Sequence, residues 1–214
     1  MPFGLTCAPS VFQRLMDMVL AGLSYETCLV YLDDVIVFGS TFEELLHRTE
    51  VVFQRIRDAK LKLKPSKCSF FRREVSFLGF IVSAAGIETQ PEKVKCVVDW
   101  PTPSNLHEVR SFLGLCSYYR RFVAGFASIA APLHALTKKN AVFRWTEECD
   151  GAFHRLKRSL TTAPILSLPR DDASYVLDTD ASNSGLGVVL SQLQDGEEKV
   201  ILYASRLLSK AERN

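Results

Sequence analysis

The chain has 214 residues, 47% of them hydrophobic, and a formal charge of +2, which excludes a disordered polypeptide and is too small a charge to point to nucleic acid by itself. No apolar run reaches the roughly 18 residues of a bilayer span and no charged region precedes a signal-like core, so we expect an intracellular protein of one or two domains with no membrane partner. The six cysteines, at 7, 28, 68, 96, 116 and 149, show no C-x-x-C pair or zinc spacing and read as free buried or half-buried thiols.

After Pro9, the residues Phe12, Leu15, Met16, Val19, Leu20 and Leu23 recur on one helical face, which predicts an amphipathic helix over 9–23. Next, Leu29-Val30-Tyr31-Leu32-Asp33-Asp34-Val35-Ile36-Val37-Phe38 reads as a buried β-hairpin interrupted by two adjacent carboxylates. Ionised carboxylates are costly to bury unpaired. A hard divalent cation is the natural partner, because Mg²⁺ is usually held by one or two carboxylates plus substrate phosphates. Asp33 and Asp34 are therefore a candidate phosphoryl-transfer site.

Ser40-Thr41-Phe42-Glu43 has the spacing of a capping box, with Ser40 as the cap, and opens a helix whose apolar face is Phe42, Leu45, Leu46, Val52, Phe53 and Ile56. Between Arg55 and Arg73 lie eight basic residues and the single acid Asp58, a run that serves either a phosphate backbone or plain solvation. Short extended pieces are predicted at 61–63, 68–71 and 75–82, with Gly79 and Gly86 at bends. Helix, hairpin, helix and further strands make an α+β unit.

Residues 88–163 read as mostly helical, with one face at Leu106, Val109, Leu113 and Cys116 and another at Cys149, Phe153, Leu156 and Leu160. Strand signals return at Ala163-Pro164: the runs 175–179, 186–193 and 199–204 predict a three-stranded meander. Asp195-Gly196 is its strongest hairpin signal, and a helix is expected to begin near Ser209. The four histidines, 47, 107, 134 and 154, lack ligand spacing and read as surface or partly buried residues.

Tyr31-Leu32-Asp33-Asp34 in its β-turn-β setting resembles the YxDD box of reverse transcriptases. Met1 to Pro9 with Phe12-Gln13 resembles the block that precedes that box in gypsy-type long-terminal-repeat retrotransposons. Lys67-Cys68-Ser69-Phe70, Phe77-Leu78-Gly79-Phe80, Gly86-Ile87, Ser111 to Leu115, Tyr118 to Phe122, Phe143 to Thr146 and Ala163 to Leu166 follow in that family's order. Thr179-Asp180-Ala181-Ser182, Gly185-Leu186-Gly187 and Tyr203 to Arg206 resemble the start of the RNase H domain that comes after the polymerase.

The resemblance implies an α+β fold in three parts. Residues 1–87 form the C-terminal part of a right-hand polymerase palm, 88–163 a helical thumb and connection, and 164–214 the N-terminal part of an RNase H-like domain. It implies RNA-directed DNA synthesis and RNA-strand hydrolysis with Mg²⁺ or Mn²⁺, the two metals of such a site lying about 3.5–4 Å apart. Asp33 and Asp34 are then palm ligands, Asp33 the main one, and Asp180 is the first metal-binding aspartate of RNase H.

Phe3 and Gly4 match the incoming-nucleotide pocket, Tyr31 the neighbourhood of the primer terminus, and Phe77, Leu78, Gly79 and Phe80 the hairpin that holds the primer strand. Lys60, Lys62, Lys64, Lys67, Arg72 and Arg73 face the nucleic-acid backbone. Implied partners are RNA template, DNA primer, RNA–DNA hybrid, dNTP and the rest of a Pol polyprotein. The setting is cytoplasmic, in a virus-like particle, or nuclear.

The apolar, turn-like opening and the stop just after a helix start lead us to expect a piece of a longer chain. The family places one more palm aspartate before the block at Met1, and further RNase H carboxylates beyond Ser209. Little polymerase or RNase H activity is therefore expected of residues 1–214 alone. The competing reading is a retroelement-derived remnant that binds nucleic acid or protein without catalysis, and a third is an unrelated cation-binding domain. Phe80 departs from the histidine that many relatives carry after Leu-Gly.

Overall fold

The computed structural model describes residues 4–213, and the chain divides into two compact units, 1–77 and 78–214. In the first, helix α1 (Ala8–Val19) leads to the antiparallel hairpin of β1 (Cys28–Tyr31) and β2 (Asp34–Val37). Helix α2 (Phe42–Asp58), a 3₁₀ turn at Pro65–Lys67 and strand β3 (Glu74–Phe77) follow.

Met16 and Leu20 from the first helix and its cap, Cys28 of β1, and Val52 and Ile56 of α2 bury one another. Helix α1 stops four residues short of the predicted 23. Leu20 keeps the apolar period but serves as the cap, its N–H donating to Met16 O at 2.9 Å, and Gly22 at φ +78° takes the left-handed turn that follows.

Thr41, not Ser40, caps α2: its hydroxyl accepts from Glu44 N, and the Glu44 carboxylate reaches back to Ser40 N at 2.6 Å. The frame is one residue later than predicted because Thr41-x-x-Glu44 also satisfies the capping-box spacing. The predicted apolar face of α2 is only partly covered, with Phe42 and Leu46 exposed. Phe42 packs on Phe71 (5.1 Å between ring centroids) and Phe53 on Phe70 (5.9 Å), so the aromatics of 70–71 lie against α2 instead of forming the predicted strand. Residues 61–63 are likewise not a strand.

In the second unit, strands β4 (Phe80–Ser83) and β5 (Gly86–Thr89) form a hairpin, so the predicted piece 75–82 is broken at Leu78-Gly79. Helices α3 (Pro91–Val98), α4 (Leu106–Tyr118), α5 (Phe126–Leu136) and α6 (Glu147–Thr161) come next, then the antiparallel sheet β6 (Tyr175–Ala181), β7 (Gly185–Gln194), β8 (Glu197–Leu207). The molecule is α+β.

Of the faces predicted for α4 and α6, Val109, Leu113 and Cys116 on the first and Cys149, Phe153, Leu156 and Leu160 on the second are buried, while Leu106, at the start of α4, is half-buried. Phe112 packs at a tilt on Phe153 at 4.6 Å with Trp100 at its edge. Emptying this position costs transfer energy plus a cavity, so Phe112→Ala is expected to destabilise the 1–214 chain by about 3–5 kcal/mol. Urea denaturation checks this, and a loss below about 1 kcal/mol contradicts the packing.

The β7–β8 turn is Asp195-Gly196, both at positive φ (56° and 83°), as the Asp-Gly pair predicts. Two hydrogen bonds tie this sheet to the helices of its unit: Ser205 Oγ accepts from Ala127 N at 2.9 Å and Ser205 O accepts from Arg120 at 2.8 Å. Ile87 and Leu166 exchange backbone hydrogen bonds at 2.7 and 2.8 Å. Gln192, fully buried, donates to Arg170 O and Ala173 O and accepts from Arg170 N and Gln194, so its amide is satisfied. Beyond Ser209 the described residues hold a single 3₁₀ turn, Ala211–Arg213, in place of the predicted helix. All six cysteines are free: 28, 116 and 149 are buried and 68 half-buried, whereas 7 and 96 are exposed, against expectation.

Candidate functional site

The carboxylate pair sits at the tip of the β1–β2 hairpin. Tyr31 and Asp34 close the ladder, leaving a two-residue loop of Leu32 and Asp33. Leu32 has φ +53°, the positive φ of a II′-like first loop position where glycine is usual. A leucine there is strained by about 1–2 kcal/mol and persists only when neighbours determine it.

Such a neighbour is Gln13 of α1, whose Oε1 accepts from Leu32 N at 2.6 Å and whose Nε2 donates to Asp17 at 2.8 Å. Nineteen residues separate Gln13 from Leu32, and no periodic pattern joins them, so sequence reasoning placed Gln13 in a motif without a role. Gln13→Ala leaves a half-buried donor unpaired, and the Leu32 amide is expected to exchange about tenfold faster, corresponding to roughly 1.4 kcal/mol. Unchanged exchange at Leu32 would remove Gln13 from this role.

Asp33 and Asp34 are both exposed, which corrects the reading of a buried pair: the turn lifts them into solvent while the strands behind stay half-buried. None of the ion pairs among the described residues involves either one. Two adjacent exposed carboxylates on a braced turn match the one or two protein ligands that Mg²⁺ takes alongside substrate phosphates. No group of three or more candidate metal ligands occurs among the described residues, so the pair fits a partial site and not an all-protein cage.

Tyr31, 54% exposed, flanks the pair. Gly4, at φ +91°, is exposed with open space where a Cβ would lie, whereas Phe3 falls outside the described residues. Lys60, Lys62, Lys64, Lys67, Arg72 and Arg73 are all exposed and take part in none of those ion pairs, so their charge is available to a ligand. Phe77 ends β3 half-buried.

Leu78 (φ +49°) and Gly79 (φ +74°) make the turn that leads to Phe80, the first residue of β4. Two tyrosines of α4 and its cap hold that turn: Tyr118 donates to Leu78 O, and Tyr119 to Gly79 O at 2.8 Å. Asp180 lies on β6 opposite Gly187, on the same face as Asp178, and every residue of β6 is exposed. All four histidines are exposed, and His154 is the one paired with a carboxylate, Asp150 at 3.5 Å.

Residues 1–82 match the family described as reverse transcriptase (RNA-dependent DNA polymerase), and residues 145–214 match the RNase H-like domain found in reverse transcriptase. The chain is 44% identical, over its whole length, to 20% of the retrovirus-related Pol polyprotein from transposon 297 of Drosophila melanogaster. It is 39% identical, again over its whole length, to 21% of the corresponding polyprotein from transposon gypsy of the same organism. It thus spans about a fifth of the length of these relatives.

Among solved structures, the foamy viral protease-reverse transcriptase in complex with RNA/DNA hybrid matches the whole chain at a TM-score of 0.85 and 27% identity, over 29% of that protein. The same viral enzyme in complex with dsDNA matches at 0.84 and 27%, over 44% of its chain.

Proposed function

Because the chain belongs to the reverse transcriptase and RNase H region of gypsy-type retrotransposon Pol polyproteins, we propose that it carries part of an RNA-directed DNA polymerase site at the β1–β2 turn and the first element of an RNase H site on β6. The observation that carries the reading is the exposed Asp33-Asp34 pair on a hairpin turn held by Gln13. Reverse transcriptase and RNase H families use divalent metals, and Asp33 and Asp34 are the residues here that would hold Mg²⁺ or Mn²⁺. A cation bound there supplies activation of the primer 3′-oxygen and neutralises charge at the leaving pyrophosphate.

The other residues bind and orient. Gly4, with Phe3 beside it in sequence, admits the incoming dNTP at close backbone approach; Tyr31 orders the primer terminus, and the Phe77–Phe80 segment holds the primer strand. The exposed basic residues from Lys60 to Arg73 contact phosphates of template and primer, a contribution that weakens with salt. Asp180 would ligate a cation for hydrolysis of the RNA strand of an RNA–DNA hybrid, together with ligands from outside the described residues. The likeness to a reverse transcriptase solved on RNA/DNA hybrid supports nucleic acid as the partner.

The test is to exchange residues 1–214 for the matching segment of the transposon 297 polyprotein and measure extension of a primed RNA template with Mg²⁺. Template-directed dNTP incorporation is expected. A folded exchange protein that binds primer–template and incorporates nothing would favour a non-catalytic nucleic-acid-binding remnant.

A further inference from the structure

The Leu78-Gly79 turn has a brace that the proposed function does not use. Its two carbonyls are each taken by one tyrosine hydroxyl, Leu78 O by Tyr118 and Gly79 O by Tyr119, from residues adjacent in sequence at the end of α4 and forty positions away. Leu78 sits in the left-handed region that a leucine rarely adopts, so the turn keeps its shape through its surroundings.

The next residue, Phe80, is fixed by the same tyrosines. It stacks on Tyr118 at 5.3 Å and 13°, meets Tyr119 edge-on at 5.6 Å, and stacks on Phe122 at 5.9 Å. Tyr119 is 2% exposed, and burial, with Tyr118 beside it, pushes its hydroxyl up to about 12. It therefore remains a proton donor throughout the neutral range. Gly79 leaves little slack, since a Cβ there would lie 3.3 Å from the Tyr119 hydroxyl and 3.4 Å from the Tyr118 ring.

We propose that Tyr118 and Tyr119 are positioning residues for primer use: their hydroxyls clamp the Leu78-Gly79 turn to the end of α4, so the strand-holding turn and the helix move as one piece. The inference rests on the proposed reading of Phe77–Phe80 as a primer-strand contact. Ring packing alone would build a core; a pair of hydroxyls on consecutive carbonyls fixes a backbone orientation as well. Misplacing a reacting strand by about 1 Å can cost up to about 100-fold in rate, so a small loosening is readable.

The test removes the hydroxyls and keeps the rings, with Tyr118→Phe/Tyr119→Phe made in the 1–214 chain and in the transposon 297 exchange protein. In the 1–214 chain, amides of residues 78–81 are expected to exchange about tenfold faster, with exchange at the Phe112–Phe153 core unchanged. In the exchange protein, the single-turnover extension rate is expected to fall roughly 10- to 100-fold, with primer–template affinity within about threefold.

Gly79→Ala in the same protein separates the two ideas. If it slows extension and the double Phe variant does not, the clamp is wrong and the primer contact stands. If neither variant slows extension, or the unaltered exchange protein is inactive, the primer-contact reading fails and the clamp falls with it. Unchanged exchange at 78–81 overturns the clamp whatever the activity.

Discussion

Asp33→Asn in the transposon 297 exchange protein is expected to lower the single-turnover rate of primer extension by a thousandfold or more, while primer–template affinity changes less than about threefold. Metal-borne charge stabilisation in phosphoryl transfer is worth several kcal/mol, and about 1.4 kcal/mol is tenfold in rate. The substitution keeps the size of the side chain and the hairpin turn, whose brace is the Leu32 N–H to Gln13 bond and not the Asp33 carboxylate. A loss confined to the rate therefore reports the missing charge, whereas equal loss of affinity would assign Asp33 to general binding. Asp34→Asn is expected to be milder, in line with the expectation that Asp33 is the main ligand.

A large stability effect is expected at Gly86→Val. Gly86 stands at φ +134°, and a Cβ there would lie 2.2 Å from Leu166 O, so the two segments must part. Parting them breaks the reciprocal Ile87–Leu166 hydrogen bonds and opens the edge of the core that Leu166, fully buried, helps to close. Backbone strain and overpacking together are expected to cost about 3 kcal/mol or more. A lower urea midpoint at unchanged slope in the 1–214 chain checks it. Gly114→Ala is the control: Gly114 lies in α4 with open space at its Cβ, and alanine there is expected to be neutral or to stabilise by up to about 1 kcal/mol. Equal midpoints for Gly86→Val and the parent would contradict the close approach.

What could be read in the sequence was what repeats or is local. The 3.6-residue faces of α4 and α6 were legible because each position depends only on its own helix, and of their predicted members Leu106, in the first turn of α4, is the one left half-buried. Asp195-Gly196 announced its turn through chemistry confined to two residues. The shifted cap at Thr41 shows the limit of such rules, since Ser40-to-Glu43 and Thr41-to-Glu44 satisfy the same spacing and only the chain's entry angle decides.

Non-local pairings left no trace of this kind. The Gln13–Leu32 bond and the Tyr118–Leu78 and Tyr119–Gly79 bonds join residues nineteen and forty apart. Both hold a leucine at positive φ, which propensity assigns to glycine or asparagine. At the site, Asp33 and Asp34 were found from the oddity of acids inside an apolar hairpin, and the oddity was half mistaken. The turn raises them into solvent, so the cation proposed there rests on their adjacency and setting and not on a burial penalty.

Iron-directed cleavage tests the metal site most directly. The exchange protein, bound to primer–template and a dNTP, is loaded with Fe²⁺ in place of Mg²⁺ and treated with ascorbate and peroxide, so that radicals cut the backbone next to the bound metal. Cleavage is expected within the β1–β2 hairpin around Asp33 and Asp34, suppressed by excess Mg²⁺ and lost in Asp33→Asn. Cleavage elsewhere with this hairpin intact, or hairpin cleavage that persists undiminished in Asp33→Asn, would contradict a metal site at these two carboxylates.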